Sequence, residues 1–257
     1  FDEKLVLEEL LESVKDEKMP THLAEVVVTS ATRLFLLYRD EDLIKSSLTD
    51  LIALGEKRND ENLNFGIGEG IVRVVFGQEM SSGKSVLDED ASSDEVIDHL
   101  IRTWTTGIGS DTKISEIEVG DTEAYVRQAL EQGTSLCRHV RPSARAAGCI
   151  YVFTILRYVE TLGAKHNPDG LPENQQNPSS LAKRFSGAIQ PNLRGCQGAF
   201  SLLLSEKNDF TQQLAARGLT SVYNLSNEKL REEMVSDLVR SLTSSKSKLT
   251  ASRVAGD

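Results

Sequence analysis

At 257 residues the chain is long enough for one large domain, two ordinary ones or an array of repeats. Its 39 carboxylates outnumber its 29 lysines and arginines, and no basic run interleaves with aromatics, which speaks against a nucleic-acid partner. Apolar residues make up 39% but aromatics only 5%, a balance that favours helices over a β-sandwich. No apolar run approaches the roughly 20 residues that span a bilayer, and no signal peptide opens the chain. The expectation is a soluble intracellular protein with no direct membrane insertion, and a sequence that begins at Phe1 reads as a piece of something longer.

In chain order, Leu5, Leu7, Leu10, Leu11 and Val14 predict a short amphipathic helix that Met19-Pro20 breaks, with Thr21 as cap of the next. Leu23, Val27, Ala31, Leu34 and Tyr38 fall at helical spacing, and a charged turn follows over Arg39 to Asp42. A third helix carries Leu43, Ile44, Leu48, Leu51 and Ile52, with Gly55 where a helix C-terminus commonly ends. Leu63 to Phe76 is dense in small and apolar residues and ends at Gly77.

Ser81 to Glu95, rich in Ser, Asp and Glu, reads as a solvated loop. Val96, Ile97, Leu100, Ile101 and Trp104 restore a helical stripe, Thr105 to Asp121 is irregular, and Tyr125 to Leu136 is helical again. A second loop spans Gly163 to Ser180, with Pro168, Pro172 and Pro178. Leu181 to Leu204 is helical with a break or kink at Pro191, and Phe210, Leu214, Gly218, Val222 and Leu225 share one helical face. Asn227 can cap a last helix carrying Leu230, Met234, Val235, Leu238, Val239 and Leu242. Ser244 to Asp257 is polar; the helical array is expected over 1–245, interrupted near 78–94 and 163–180, and a polar tail over 246–257.

The run from Arg138 to Glu160 is too apolar at its centre to face water on any side. As a helix it places Val140, Ala144, Ala147, Gly148, Tyr151, Val152, Ile155 and Val159 on one stripe, with Ile150 and Phe153 on the flank. A buried strand over Cys149 to Leu156 is the competing reading, since β-branched and aromatic residues fill it. The Ser-Ala-Arg-Ala-Ala run feeding into it, and Pro142 in what would be a first turn, favour the helix.

Three segments share a pattern: Glu69-Gly70-Ile71, Ala147-Gly148-Cys149 and Arg217-Gly218-Leu219. Their separations, halved, give about 35 to 40 residues, the length of one helix-turn-helix unit. Alternation of amphipathic and more apolar helices is what stacked helical pairs require. The expected fold is all-α, a HEAT/armadillo-like α-solenoid of antiparallel helix pairs, with a compact helical bundle as the alternative.

Motifs for chemistry are weak. Gly66-Ile67-Gly68-Glu69-Gly70 lacks the last glycine of a dinucleotide loop and follows no apolar strand. Gly77 to Ser85 approaches a phosphate loop after the strand-like Ile71 to Phe76, but five residues rather than four separate its glycines, and Asp88, Glu89, Asp90, Asp94 and Glu95 crowd negative charge beyond it. His22, His99, His139 and His166 have no metal-ligand spacing, and Cys137, Cys149 and Cys196 form no C-x-x-C pair and read as reduced, buried or half-buried thiols. No catalytic, cofactor or metal residues are expected, and binding residues are not assignable. Two classes remain, an interaction scaffold and a nucleotide-binding enzyme using Gly77 to Ser85, which substitution of Lys84 would separate.

The run from Gln197 to Leu242, containing F-S-L-L-L-S-E-K-N-D-F-T-Q-Q-L-A-A-R-G-L-T-S-V-Y-N-L-S-N-E and M-V-S-D-L-V-R-S-L, resembles the C-terminal half of the HEAT-repeat proteasome adaptor and scaffold family. Phe65 to Gly70 before a Ser-rich insertion, then His139-Val140-Arg141 through Ile150-Tyr151, are similar to segments of that family in the same order. The resemblance covers Leu48 to Ser245, with Thr105 to Thr134 and Lys165 to Pro178 expanded. It implies a fragment of a much longer non-catalytic protein that binds the 26S proteasome and steadies the association of core and regulatory particles. It further implies residence in cytoplasm and nucleus, with links to endosomes or endoplasmic reticulum through partners.

Overall fold

The computed structural model describes residues 3–16, 18–35, 40–58, 60–77, 119–165 and 186–240. Among them the secondary structure is entirely helical: α1 Glu3–Val14, α2 Thr21–Leu34, α3 Glu41–Lys57, α4 Glu61–Phe76, α5 Val119–Leu136, α6 Pro142–Lys165, α7 Ser186–Leu203, α8 Asp209–Leu225 and α9 over residues 228–240. The expected loop over Ser81 to Glu95, the stripe from Val96 to Trp104 and the polar tail lie outside the described residues, as does all of the second loop after Lys165.

Side-chain caps start several of these helices. Asp40 accepts from the Leu43 amide, Asp60 from the Leu63 amide, and Asn208 from the Thr211 amide. Asn227 accepts from the Leu230 amide at 3.0 Å, the cap expected from its position. Thr21 does not cap α2; it is the first helical residue, and Pro20 before it offers no side-chain bond. Gly77 ends α4 in the left-handed conformation with φ of 63°, its amide donating to the Arg73 carbonyl. Gly55 is not such a terminus, because α3 continues to Lys57.

The helices pack in two rows. Odd helices follow one another, α1 on α3, α3 on α5 and α5 on α7, and even helices do the same, α2 on α4, α4 on α6 and α6 on α8. Each odd helix among these eight also packs on the even helix that succeeds it. The even row curls, since Phe65 of α4 and Phe210 of α8 meet edge to face with ring centroids 5.7 Å apart although α6 lies between the two helices in that row.

Helix α6 is the centre, touching α3, α4, α5, α7 and α8. That enclosure explains why Cys149 to Leu156 is apolar all round yet helical: five neighbouring helices cover every face, so burial overrides the strand preference of its β-branched residues. Several of its polar groups are paired, while the buried Tyr158 hydroxyl has no hydrogen-bond partner among the described residues. The Tyr151 hydroxyl donates to Asn64 Oδ1 at 2.8 Å, Thr154 donates back to the Ile150 carbonyl, and near the far end Glu160 accepts from Ser221 and Asn224 of α8. Val140 is not on the buried stripe; it stands in the turn before Pro142, 85% exposed.

Two other faces differ from expectation. In α1, Leu7, Leu11 and Val14 are buried while Leu5 faces out. In α2 the buried set is Ala24, Val28, Ala31, Thr32 and, just past the helix, Phe35, with Leu23 exposed. The reason lies on α4, where a Cβ on Gly70 would lie 2.8 Å from Thr32 Cγ2, so α2 presents its small and β-branched side to a closely approaching neighbour.

Helix α7 runs through Pro191 rather than stopping at it. The ring is exposed in the second turn, where it removes the amide that would donate to the Gly187 carbonyl. Asn192 Nδ2 donates to the Ala188 carbonyl, and Gln190 Nε2 to the Leu225 carbonyl of α8.

Glycines set the helix spacing. Gly148 of α6 lies against the end of α5, where an added Cβ would sit 2.6 Å from the Cys137 amide nitrogen and 2.8 Å from the Gly133 carbonyl oxygen. Gly218 of α8 likewise faces the preceding helix, against the Phe200 ring. Gly70 of α4 instead faces α2 in its own row, so the three-fold pattern is equivalent only between α6 and α8. Successive members also lie on even helices in direct contact, so each interval is one step along that row and not two.

Candidate interaction surface

The turns between odd and even helices form one edge of the stack, and charged side chains tie each to the next. Arg58, after α3, donates to the carbonyls of Val14, Asp16 and Met19 around the α1–α2 turn. Arg141 and His139, in the α5–α6 turn, each stand 3.4 Å from Glu56 Oε1 near the end of α3. Arg145 then reaches forward to the α7–α8 turn, its Nε 2.6 Å and its Nη2 3.0 Å from the two Glu206 oxygens. This is a fork-to-fork pairing that a lysine cannot reproduce.

The same guanidinium holds its own turn. Arg145 Nη1 donates to the carbonyls of His139 and Val140, both at 2.9 Å. The Arg141 amide donates to His139 Nδ1, and the His139 amide to the Leu136 carbonyl. Val140 is therefore fixed by its backbone while its side chain stands in solvent between Arg138 and Arg141, both exposed. Sequence reading missed this surface by drawing the helix too early; Pro142 at the first helical position was the signal that Val140 lies outside it.

A second edge is apolar. On α9, Leu230 and Met234 turn inward, but Val235 and Leu238 remain 48% and 61% exposed. Arg194 of α7 pairs with Glu233, and Arg231 donates to the carbonyls of Tyr223 and Asn224, so α9 is anchored to α7 and to the end of α8.

The motifs weighed for chemistry fall into helices. Gly66 to Gly70 lies inside α4, where Gly68 meets Thr154 and Gly70 meets Thr32 while a Cβ on Gly66 would meet nothing within 4 Å. Ile71 to Phe76, the strand a phosphate loop would follow, is the last part of the same helix, and Gly77 is its cap. The rest of Gly77 to Ser85, Lys84 included, lies outside the described residues, as do His99 and His166. His22 is exposed, and His139 belongs to the turn. Among the described residues no group of three or more His, Cys, Asp or Glu is placed to hold a metal, and no helix is long and apolar enough to cross a membrane.

Cys137, Cys149 and Cys196 are fully buried, and burial pushes all three thiols up, Cys196 to about 12. They are packing groups, inert as nucleophiles. Burial also holds the Arg73–Glu69 pair, 3.3 Å apart within α4, with Arg73 Nη1 against Thr32 Oγ1 of α2. That arrangement joins two helices of one row.

Helices in two rows, with turns linked along one edge, place the described residues in the all-α class. Over 187 residues the chain is 26% identical to the proteasome adapter and scaffold protein ECM29 of Homo sapiens, and over 120 residues it is 31% identical to the proteasome component ECM29 of Saccharomyces cerevisiae. The matches take in 72% and 47% of this chain but only 8% and 5% of those proteins. No family model matches the chain, and no solved structure matches it. The chain is thus related to proteins named for a proteasome-associated adapter or scaffold role, not for a reaction.

Proposed function

We propose that this chain is a HEAT/armadillo-like solenoid segment of a non-catalytic scaffold that binds the 26S proteasome and steadies the association of its core and regulatory particles. The observation that carries this reading is the similarity to the two ECM29 proteins, over 187 residues in the longer match. Support for the solenoid comes from the two helix rows and the pairing of each odd helix with its successor, the connectivity of stacked repeats. The exposed Val235 and Leu238 offer a face on which a further helix pair can stack.

A curved stack engages two bodies at once, so modest affinity at each is enough: once one particle is bound, the other is met at high effective concentration. The protein works in cytoplasm and nucleus and reaches endosomes or endoplasmic reticulum through partners. The test is co-purification of the tagged full-length protein with proteasomes, scoring core and regulatory subunits separately with excess ATP as control. Recovery of both particles is expected. Recovery of neither, together with nucleotide binding lost in Lys84→Ala, would replace the scaffold with the nucleotide-dependent reading.

A further inference from the structure

The geometry points to the α5–α6 turn, Arg138 to Arg141, as a docking knob for an acidic protein surface with a small apolar depression. The inference rests on the scaffold reading and assigns it a contact. Val140 is the most exposed large hydrophobic side chain among the described residues, at 85%. Its position is held by the backbone rather than by packing, through the Arg145 bonds to the carbonyls of His139 and Val140 and the Arg141 amide bond to His139. A turn already fixed loses little conformational entropy on binding.

The flanks set the partner's charge. Arg138 and Arg141 are exposed beside Val140, and Lys207 is exposed on the neighbouring α7–α8 turn that Glu206 ties to Arg145. Much of the opposing charge here is already engaged: Glu206 is gripped bidentately by Arg145, Glu56 lies 3.4 Å from both Arg141 and His139, and Asp60 caps the Leu63 amide, while exposed Asp209 stands two residues beyond Lys207. Arg138 makes only long carbonyl contacts, 3.5 Å to Thr134 and to Gly195. In a chain of net charge −10 this is a local basic rim around an apolar tip, and arginine beside a desolvated anchor is the composition of interface hot spots. A nucleic acid or a membrane fits less well, because the acidic body repels an extended polyanion and one valine inserts little apolar surface.

The experiment measures the affinity of the full chain for purified 26S proteasomes, comparing wild type with Arg138→Glu/Arg141→Glu, Val140→Asp and a remote control, Glu8→Lys. Circular dichroism melts confirm that each variant folds, which exposed positions permit. Expected are losses of tenfold or more in both turn variants, none in the control, and a salt dependence of wild-type binding that the charge-reversed variant lacks. Wild-type affinity in both turn variants overturns the knob and leaves the scaffold standing, whereas no binding by wild type overturns both. Binding of poly-uridine RNA or phosphatidylserine vesicles that the charge reversal abolishes, with proteasome affinity unchanged, also overturns the acidic-protein assignment.

Discussion

Gly148 and Gly66 are both helical glycines, yet the structure gives them opposite values. At Gly148 a methyl would meet backbone atoms of α5, which cannot step aside as a side chain can. Gly148→Ala is therefore expected to destabilise by about 1–3 kcal/mol, while Gly66→Ala, whose Cβ meets nothing within 4 Å, should stabilise by about 0.5–1 kcal/mol through helix propensity. Urea unfolding of the two variants decides; equal effects would contradict this packing. The thiols give a second residue-scale expectation. Their folded-state ionisation lies above the ordinary value of 9.0, so the unfolded chain releases these protons first. The stability they contribute is full below about pH 9 and drains away as pH rises towards 12. Iodoacetamide at about pH 8 should label none of the three until the protein unfolds, and rapid labelling of the native protein would refute their burial.

At the scale of elements, Arg145 joins three parts of the fold: its own turn, the start of α6 and the turn before α8. Its side chain and that of Glu206 keep only 19% and 16% of their exposure, so removing one partner leaves a largely buried charge. Arg145→Met should cost about 2 kcal/mol, short of the 3–5 kcal/mol of a fully buried pair. A double-mutant cycle with Glu206→Gln should return a coupling of about 1 kcal/mol or more, and additivity would show the pairing to be worth nothing.

Element types were legible in sequence because three-and-four spacing, Asn227 and Gly77 are local signals. Which side of α2 is buried was not, because Leu23, Val26, Val27 and Val28 leave its apolar arc broad, and the choice is made by the glycine on α4 that admits Thr32. Val140 was misplaced for the same kind of reason: an apolar residue at the right spacing looks buried until Pro142 is read as the first residue of the helix. The clasp of Arg145 on Glu206, 61 residues away, had no local signal at all.

For the whole molecule, the enclosure of α6 was readable from a run apolar on every face, since only several neighbours can cover such a helix. The two-row order was foreshadowed by alternating helix character, while the repeat interval was misjudged, because segments between α4 and α5 and between α6 and α7 lengthen each step. In the proposed role the protein bridges two particles. Purified core and regulatory particles, assembled with ATP and then deprived of it, can be followed by native gel with and without the full-length protein. The assembled form is expected to persist several-fold longer when the protein is present. Dissociation at the same rate in both would contradict it.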